Sequence, residues 1–293
     1  MKATLFGKIR LKLRVRLDCL AGLTGALSVG FGVVLVSGCV AIPVTTAKRT
    51  RAVVYTPASW PEKLTADVYR PESARPAPAV LLVHGGGWRS AGSRWVMNGI
   101  AAKLAKRGYV VMNITYRSIP AYQYPAPLED LRQALKWLRT HAGEYGIDTQ
   151  RVAAFGYSAG GYLATLVALQ GGPENERVRA IVAGGSPFDL RFYPGGTLIP
   201  TYLGGNIHEV PELYDEASPV NYVHRNSPPL FIYQGSSDVL VRPEHALWMQ
   251  QVCDMEGARC EVHWLWGHGH VGAFLFSGPV VDQAIDFLDR EMK

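Results

Sequence analysis

The sequence has few cysteines and, after residue 38, almost no net charge. Each of these two features argues against one class of function. Its 293 residues include four cysteines, and no two of them have the close spacing of a Cys-x2–4-Cys metal pair. Past residue 38 the chain holds 24 basic and 23 acidic residues, with no basic stripe interleaved with aromatic residues. Nucleic-acid binding is therefore not expected. Repeats and long low-complexity stretches are also lacking, so the composition indicates an ordinary globular chain.

The surplus of positive charge lies at the N-terminus. Six Lys and Arg residues fall within the first sixteen positions, and an uncharged, mostly apolar stretch follows over residues 19–46. This order is typical of an export signal. The four residues ending at Cys39, Val-Ser-Gly-Cys, resemble a bacterial lipobox, which predicts cleavage after residue 38 and a lipid on Cys39. An ordinary signal peptide, an uncleaved anchor and a buried helix stay open, because the stretch is long enough to span a bilayer.

These features divide the chain into three parts. Residues 1–38 are predicted to be the signal, residues 39–50 a tether rich in Thr and basic residues, and residues 51–293 one folded domain. A lipidated Cys39 or a signal anchor would make the membrane a partner and place the domain in the cell envelope, facing the periplasm or on the outer membrane. In an oxidising compartment Cys253 and Cys260 could form a disulfide, with two free thiols as the alternative.

Strand-like and helix-like segments alternate along the predicted domain. The continuous apolar run 79–83 is typical of a strand buried on both faces, and apolar residues recur every three to four positions over 127–144. The alternation predicts an α/β fold with a doubly wound, mostly parallel sheet, whose ligand crevice lies at the carboxyl ends of the strands. The predicted strands are 64–69, 79–83, 109–114, 151–155, 178–183, 230–233 and 260–264; the predicted helices are 94–107, 127–144, 159–170, 243–256 and 280–292.

One segment interrupts this alternation. Residues 187–226 are rich in Pro, Gly and Tyr and are predicted to form a small cap or loop insertion after the strand that precedes them. Such an insertion would shape a pocket. Its aromatic residues and one upstream tryptophan are candidate pocket walls, with ordinary packing as the alternative: Tyr193, Tyr202, Tyr214 and Trp88.

A serine lies where one predicted strand gives way to a helix, in Gly156-Tyr157-Ser158-Ala159-Gly160. On such a sharp turn the hydroxyl projects out of the sheet, and small neighbours allow the turn to form. We therefore predict that Ser158 is a nucleophile; the alternative is a serine that caps a helix.

A nucleophilic serine needs a base and an orienting acid, in the chain order Ser, Asp or Glu, His on this architecture. Asp238 follows the strand 230–233 and is the predicted acid, with Asp189 and Asp215 as rivals. His270 is the predicted base and His268 the alternative. A metal site built from the two histidines is a further alternative.

Acyl transfer also requires hydrogen-bond donors for the oxyanion. His84-Gly85-Gly86-Gly87-Trp88 follows the buried strand 79–83, and glycine allows consecutive N–H groups to point at one place. Gly86 and Gly87, with the N–H of Ala159, are the predicted oxyanion hole. His84 is expected to hold the loop in place.

Together these motifs resemble the HGGG-type carboxylesterase branch of the α/β-hydrolase fold, which includes hormone-sensitive-lipase-like and BD-FAE-like esterases. Tyr124-Pro125-Ala126-Pro127 and the stretch from Val262 to His270, which favours His270 over His268, extend the likeness over roughly residues 60–290. It departs at Tyr157, where many relatives carry an acidic residue.

The resemblance implies a serine carboxylic ester hydrolase that uses an acyl-enzyme, needs no cofactor or metal, and acts on small to medium acyl esters such as acetyl or feruloyl esters. Three other functions stay open: a peptidase or amidase, a formamidase or methylesterase of modified cysteine, and a non-catalytic binding lipoprotein. Fold alone does not separate them.

Overall fold

The protein was analysed as a computed structural model, which describes residues 47–73, 75–89, 93–172, 177–193 and 195–292. The predicted signal, the lipid site at Cys39 and the tether as far as residue 46 lie outside these ranges. Within the described ranges no helix is both long enough and apolar enough to cross a bilayer.

One sheet of eight strands forms the centre of the described structure, in the order β1-β2-β4-β3-β5-β6-β7-β8. Strands β1 and β2 run antiparallel to their neighbours, and the other adjacent pairs are parallel. The predicted α/β class and mostly parallel sheet are therefore confirmed. The strands are β1 (Ala47–Val54), β2 (Thr65–Pro71), β3 (Ala77–Val83), β4 (Val110–Ile114), β5 (Ile147–Tyr157), β6 (Ile181–Gly184), β7 (Leu230–Gly235) and β8 (Cys260–Leu265).

Helices cover both faces of this sheet, which explains the unbroken apolar run in β3. Leu81 and Val83 belong to a core on one face, whereas Val80 and Leu82 belong to a core on the other, because successive strand residues point to opposite sides. The helices are α1 (Asn98–Lys106), α2 (Ala126–Thr140), α3 (Ala142–Tyr145), α4 (Ala159–Gln170), α5 (Leu198–Leu203), α6 (Pro211–Glu216), α7 (Glu244–Glu256), α8 (His270–Leu275) and α9 (Gly278–Glu291).

The helix predicted over 127–144 is divided in the structure. It ends at Thr140 and a short second helix, α3, begins at Ala142. Between them, the ring of His141 stacks on Trp137 with 4.2 Å between centroids, and its Nδ1 lies 3.0 Å from the Trp137 carbonyl oxygen. Side-chain contacts of this kind with the last turn favour a helix end.

The tether prediction is wrong for residues 47–50, which form the first half of β1. This strand pairs with β2 from Ala47 opposite Pro71 to Val54 opposite Thr65. Most of its side chains are exposed, so it lacks the apolar alternation that would have predicted a strand. Its basic residues are typical of an edge strand. Pro71 lies just beyond the amino ends of the parallel strands. Its partner Ala47 is therefore at the end of the sheet opposite the carboxyl ends of these strands.

The predicted insertion lies between β6 and β7 and contains several short helical segments. It contains α5, α6 and two 3₁₀ turns, Leu190–Phe192 and Pro219–Tyr222. Tyr202 of α5 stacks on Trp88 with 4.3 Å between centroids and meets Tyr162 of α4 edge-on at 5.9 Å. This buried aromatic cluster attaches the insertion to the loop after β3.

Of the two alternatives for Cys253 and Cys260, the structure has the free thiols and not the disulfide. Both residues are free thiols, Cys253 buried in α7 and Cys260 at the first position of β8. A hydrogen bond from one thiol to the other, together with burial, raises the pKa of Cys260.

Candidate active site

The strand-turn-helix arrangement predicted around Ser158 is present in the structure. Strand β5 ends at Tyr157, α4 begins at Ala159, and Ser158 between them has φ 54° and ψ −125°. A positive φ is costly for a residue with a side chain and is often found at functional sites. The N–H of Ser158 donates to the carbonyl oxygen of Gly184 at 2.7 Å, which helps to fix this conformation.

Both glycines of the motif are required by close backbone approach. A Cβ atom on Gly156 would lie 2.3 Å from the backbone of Gly160. A Cβ atom on Gly160 would lie 2.3 Å from the carbonyl oxygen of Val83 and 2.4 Å from that of His84. The turn from Gly156 to Gly160, which we call the elbow, therefore packs directly against the end of β3. This contact brings Ser158 beside the predicted oxyanion loop.

Ser158, His270 and Asp238 form a continuous hydrogen-bonded chain. Nε2 of His270 lies 2.9 Å from Oγ of Ser158, and Nδ1 of His270 lies 2.7 Å from Oδ2 of Asp238. The base and acid predicted from the sequence thus occupy the positions that nucleophile activation requires. Because His270 uses both ring nitrogens here, it has none left for the metal site considered above.

Asp238 is buried and held by four hydrogen bonds. Its Oδ1 accepts the N–H groups of Leu240 and Val241 at 3.0 and 2.9 Å. Its Oδ2 accepts a hydrogen bond from Nε2 of Gln234 at 3.1 Å, in addition to its hydrogen bond with His270. These bonds orient the carboxylate toward the imidazole.

The rival acids have another role. Arg191 lies 2.7 Å from a carboxylate oxygen of both Asp189 and Asp215, so the two aspartates form an ion-pair cluster within the insertion.

The histidine that contacts Ser158 is His270, whereas the ring of His268 makes other contacts. Its Nδ1 lies 3.0 Å from the carbonyl oxygen of Trp266, and its ring packs against Phe276. Its own carbonyl accepts the N–H of Ser237 at 3.0 Å and would lie 2.4 Å from a Cβ atom on Gly235. His268 therefore supports the turn that carries Asp238.

The predicted oxyanion donors line the same cavity as Ser158. Gly86 and Gly87 have φ 114° and 59°, and Trp88 also has a positive φ, so the loop turns sharply after β3. The N–H groups of Gly86, Gly87 and Ala159 donate to no other group among the described residues. Free N–H groups beside a nucleophile are what oxyanion stabilisation requires.

His84 holds this loop, as expected. Its Nδ1 lies 2.7 Å from the carbonyl oxygen of Gly85, and its ring stacks on Tyr116 with 4.4 Å between centroids. Burial lowers the pKa of His84 to about 4, so the ring is neutral near pH 7.

Two residues that the sequence analysis assigned no role also contact the triad. The hydroxyl of Tyr157 donates to the carbonyl oxygen of His270 at 2.5 Å, and Gln234 donates to Asp238. Gln234 could have been noticed, because it is the next-to-last residue of a buried strand, where a polar side chain needs a partner. No sequence signal gives the direction of the Tyr157 hydroxyl.

The triad opens into a cavity of about 680 Å³. Of the candidate walls, Trp88 and Tyr193 line it, but Tyr202 and Tyr214 do not. Tyr202 belongs to the buried cluster with Trp88, and Tyr214 is buried in α6. For these two residues the packing alternative is correct.

Comparisons with known proteins find esterases among the relatives of this chain. Esterase LipC of Mycobacterium tuberculosis is 31% identical over 200 residues, 61% of this chain and 49% of that protein. Esterase LipQ of the same organism is 29% identical over 67% of this chain and 50% of its own length. The chain thus spans about half the length of these curated relatives.

Solved structures share the fold over more of their length. A truncated carbohydrate esterase from gut microbiota superposes with a TM-score of 0.76 at 22% identity, over 85% of this chain and 97% of that one. An esterase from Thermogutta terrifontis with bound propionate gives 0.68 at 25% identity, over 85% and 95%. The fold is the α/β-hydrolase fold. Since the sequence pattern of the BD-FAE family matches residues 66–252, which include the oxyanion loop, Ser158 and Asp238, the chain belongs to the BD-FAE family.

Proposed function

We propose that this protein hydrolyses carboxylic esters of small to medium acyl groups through an acyl-enzyme on Ser158. The observation that carries the proposal is the hydrogen-bonded chain from Ser158 through His270 to Asp238, at a cavity also lined by Gly86 and Gly87. The names of LipC and LipQ describe esterases, which supports the same chemistry.

In the proposed first step, Oγ of Ser158 bonds to the ester carbonyl carbon while Nε2 of His270 takes the hydroxyl proton. The negative charge that develops on the carbonyl oxygen is stabilised by the N–H groups of Gly86, Gly87 and Ala159. Collapse of this intermediate breaks the bond to the alcohol, and His270 returns the proton to the leaving oxygen. Asp238 keeps Nδ1 of His270 protonated and stabilises the imidazolium.

The second step releases the acid. His270 removes a proton from water, whose oxygen attacks the acyl carbon, and Ser158 leaves with that proton. Because the attack by Ser158 needs the base within hydrogen-bond reach of the serine, the 2.9 Å distance between Nε2 and Oγ supports a catalytic protein over a binding lipoprotein.

The test is hydrolysis of 4-nitrophenyl esters by the full chain and by Ser158→Ala, with labelling of Ser158 by a fluorophosphonate. We expect turnover and labelling that are both lost in the variant. Labelling without ester turnover would point to amides or formamides, and absence of both would contradict the proposal.

We also propose that the protein is exported to the bacterial cell envelope and held there by a lipid on Cys39. The lipobox-like residues before Cys39 and the basic and apolar segments upstream support this location. Metabolic labelling with an alkyne fatty acid should mark the protein but not Cys39→Ala, and equal labelling of both would contradict the lipid site.

A further inference from the structure

The walls of the catalytic cavity are apolar. They include side chains from the 3₁₀ turn before α1, from α5, from the loop after β7 and from α8: Val96, Leu198, Ile199, Leu240, Val241 and Phe274. Among its described lining residues there is no Asp, Glu, Lys or Arg. Apart from the catalytic Ser158 and His270, the side chains with a polar group are Tyr157, Tyr193, Thr197 and Trp88, whose indole N–H has no hydrogen-bond partner among the described residues.

Both tyrosine hydroxyls already donate their protons to backbone carbonyl oxygens. Tyr157 donates to the carbonyl oxygen of His270 at 2.5 Å, and Tyr193 donates to that of Leu240 at 3.2 Å. A substrate with several hydroxyl groups would therefore find few partners in this cavity, and each unpaired buried group weakens binding. A hydrocarbon chain has no such requirement.

The apolar surface continues from the cavity to the outside. Leu240 and Val271 line the cavity and are nevertheless 61% and 63% exposed, so they stand at its mouth. Val239, next to Leu240, and Leu275, one helical turn after Val271, are also exposed. We call these four residues the apolar mouth. Exposed apolar residues grouped at one cleft mark a binding surface more often than scattered ones do.

We propose that the cavity takes an aliphatic acyl chain of medium length that starts at Ser158 and leaves through the apolar mouth. The cavity volume of about 680 Å³ lies within the usual range for small-molecule sites and gives room for such a chain. The inference rests on the proposed ester hydrolysis and specifies its substrate class.

The size of the effect follows from the hydrophobic burial of each methylene group. Transfer of one CH₂ from water to an apolar wall contributes up to about fourfold in kcat/KM when the contact is kept in the transition state. A partly exposed chain gains less. We therefore expect kcat/KM to rise at least about tenfold from acetate to octanoate.

The experiment measures kcat/KM of the full chain for 4-nitrophenyl acetate, butyrate and octanoate, with methyl ferulate and acetylated xylan as competitors. The variant Leu240→Asp places a charge at the apolar mouth and should lower octanoate turnover about tenfold relative to acetate turnover. Leu247→Asp is the matched control, because Leu247 is exposed on α7 and does not line the cavity. It should leave the ratio unchanged.

The outcomes separate this inference from the proposed function. Acetate turnover with a flat or falling chain-length profile, or a preference for ferulate or acetylated xylan, would overturn the aliphatic-chain inference alone. An equal effect of the two Asp variants on the octanoate-to-acetate ratio would also overturn it. Lack of turnover on every ester, without fluorophosphonate labelling, would overturn the proposed function and this inference with it.

Discussion

The hydroxyl of Tyr157 lies 2.5 Å from the carbonyl oxygen of His270 and donates a hydrogen bond to it. The residue before Ser158 thus holds the backbone of His270. The tyrosine ring also packs beside the imidazole, with 5.3 Å between centroids. Burial raises the pKa of Tyr157 above its usual value, so the hydroxyl stays protonated and donates. Tyr157 thereby positions His270 between Ser158 and Asp238.

Replacing this hydroxyl should slow catalysis without weakening substrate binding. For Tyr157→Phe we expect kcat to fall about three- to tenfold while KM changes less than twofold, because one hydrogen bond that places the base is lost. Steady-state kinetics with 4-nitrophenyl butyrate measure both values. Tyr222→Phe is the control, since its hydroxyl also donates to a backbone carbonyl, that of Glu216, but away from the triad. Equal kinetics for the two variants would contradict a positioning role for Tyr157.

The acid of the triad can be identified by removing one charge at a time. Asp238→Asn should lower kcat about 10³–10⁴-fold, because the imidazole loses the partner that fixes its tautomer and stabilises its charged form. Asp215→Asn is the control, since that carboxylate is exposed and pairs with Arg191. A loss of the same size for Asp215→Asn would invalidate the assignment of the acid.

Buried His84 should make the fold sensitive to acid. Its folded pKa of about 4 is below the ordinary value of 6.5, so the unfolded state binds the proton more readily. The stability that this neutral histidine contributes is present above pH 6.5 and is lost as the pH falls toward 4. Between pH 7 and pH 5 the loss is about 2 kcal/mol.

Urea unfolding of wild type and His84→Gln at the two pH values tests this. Glutamine does not titrate, so the variant should lose about 2 kcal/mol less than wild type on acidification, whatever its stability at pH 7. Buried His245, whose pKa burial also lowers to about 4, remains in both proteins and contributes equally. The same acid-induced loss in both proteins would contradict the prediction for His84.

Gly160, the second glycine of the elbow, should tolerate no side chain. A Cβ atom on Gly160 would lie 2.3 Å from the carbonyl oxygen of Val83, which is backbone and has little freedom to move. Gly160→Ala should therefore reduce the free energy of unfolding by about 3 kcal/mol or abolish folding. Gly143→Ala should be neutral or slightly stabilising, because a Cβ atom at this helical position meets nothing within 4 Å. Equal thermal stability of the two variants would show that the elbow can relax.

The parts of the molecule that local pattern determines were predictable. Helix α4 runs over 159–170 as expected, because the elbow fixes its start and a glycine follows its last residue. The nucleophile follows from its strand-turn-helix setting. Choosing His270 over His268 required the resemblance to known esterases, since both histidines follow the same strand and only the folded loop separates them.

Other features depend on contacts between distant segments. Strand β1 has mostly exposed side chains and forms through backbone pairing with β2, so its apolar pattern is weak. The direction of the Tyr157 hydroxyl depends on where α8 returns to the sheet, 113 positions later in the sequence. Two cysteines seven positions apart do not reveal whether their thiols meet in disulfide geometry.

Ala47, the first residue that the structure describes, lies at the end of the sheet where the parallel strands begin, whereas Ser158 follows the carboxyl end of β5. A bead, resin or fused partner joined upstream of Ala47 is therefore attached at the end of the sheet opposite Ser158. The cavity would stay accessible on such a support, and the N-terminal side is the natural point of attachment for an immobilised form of this protein.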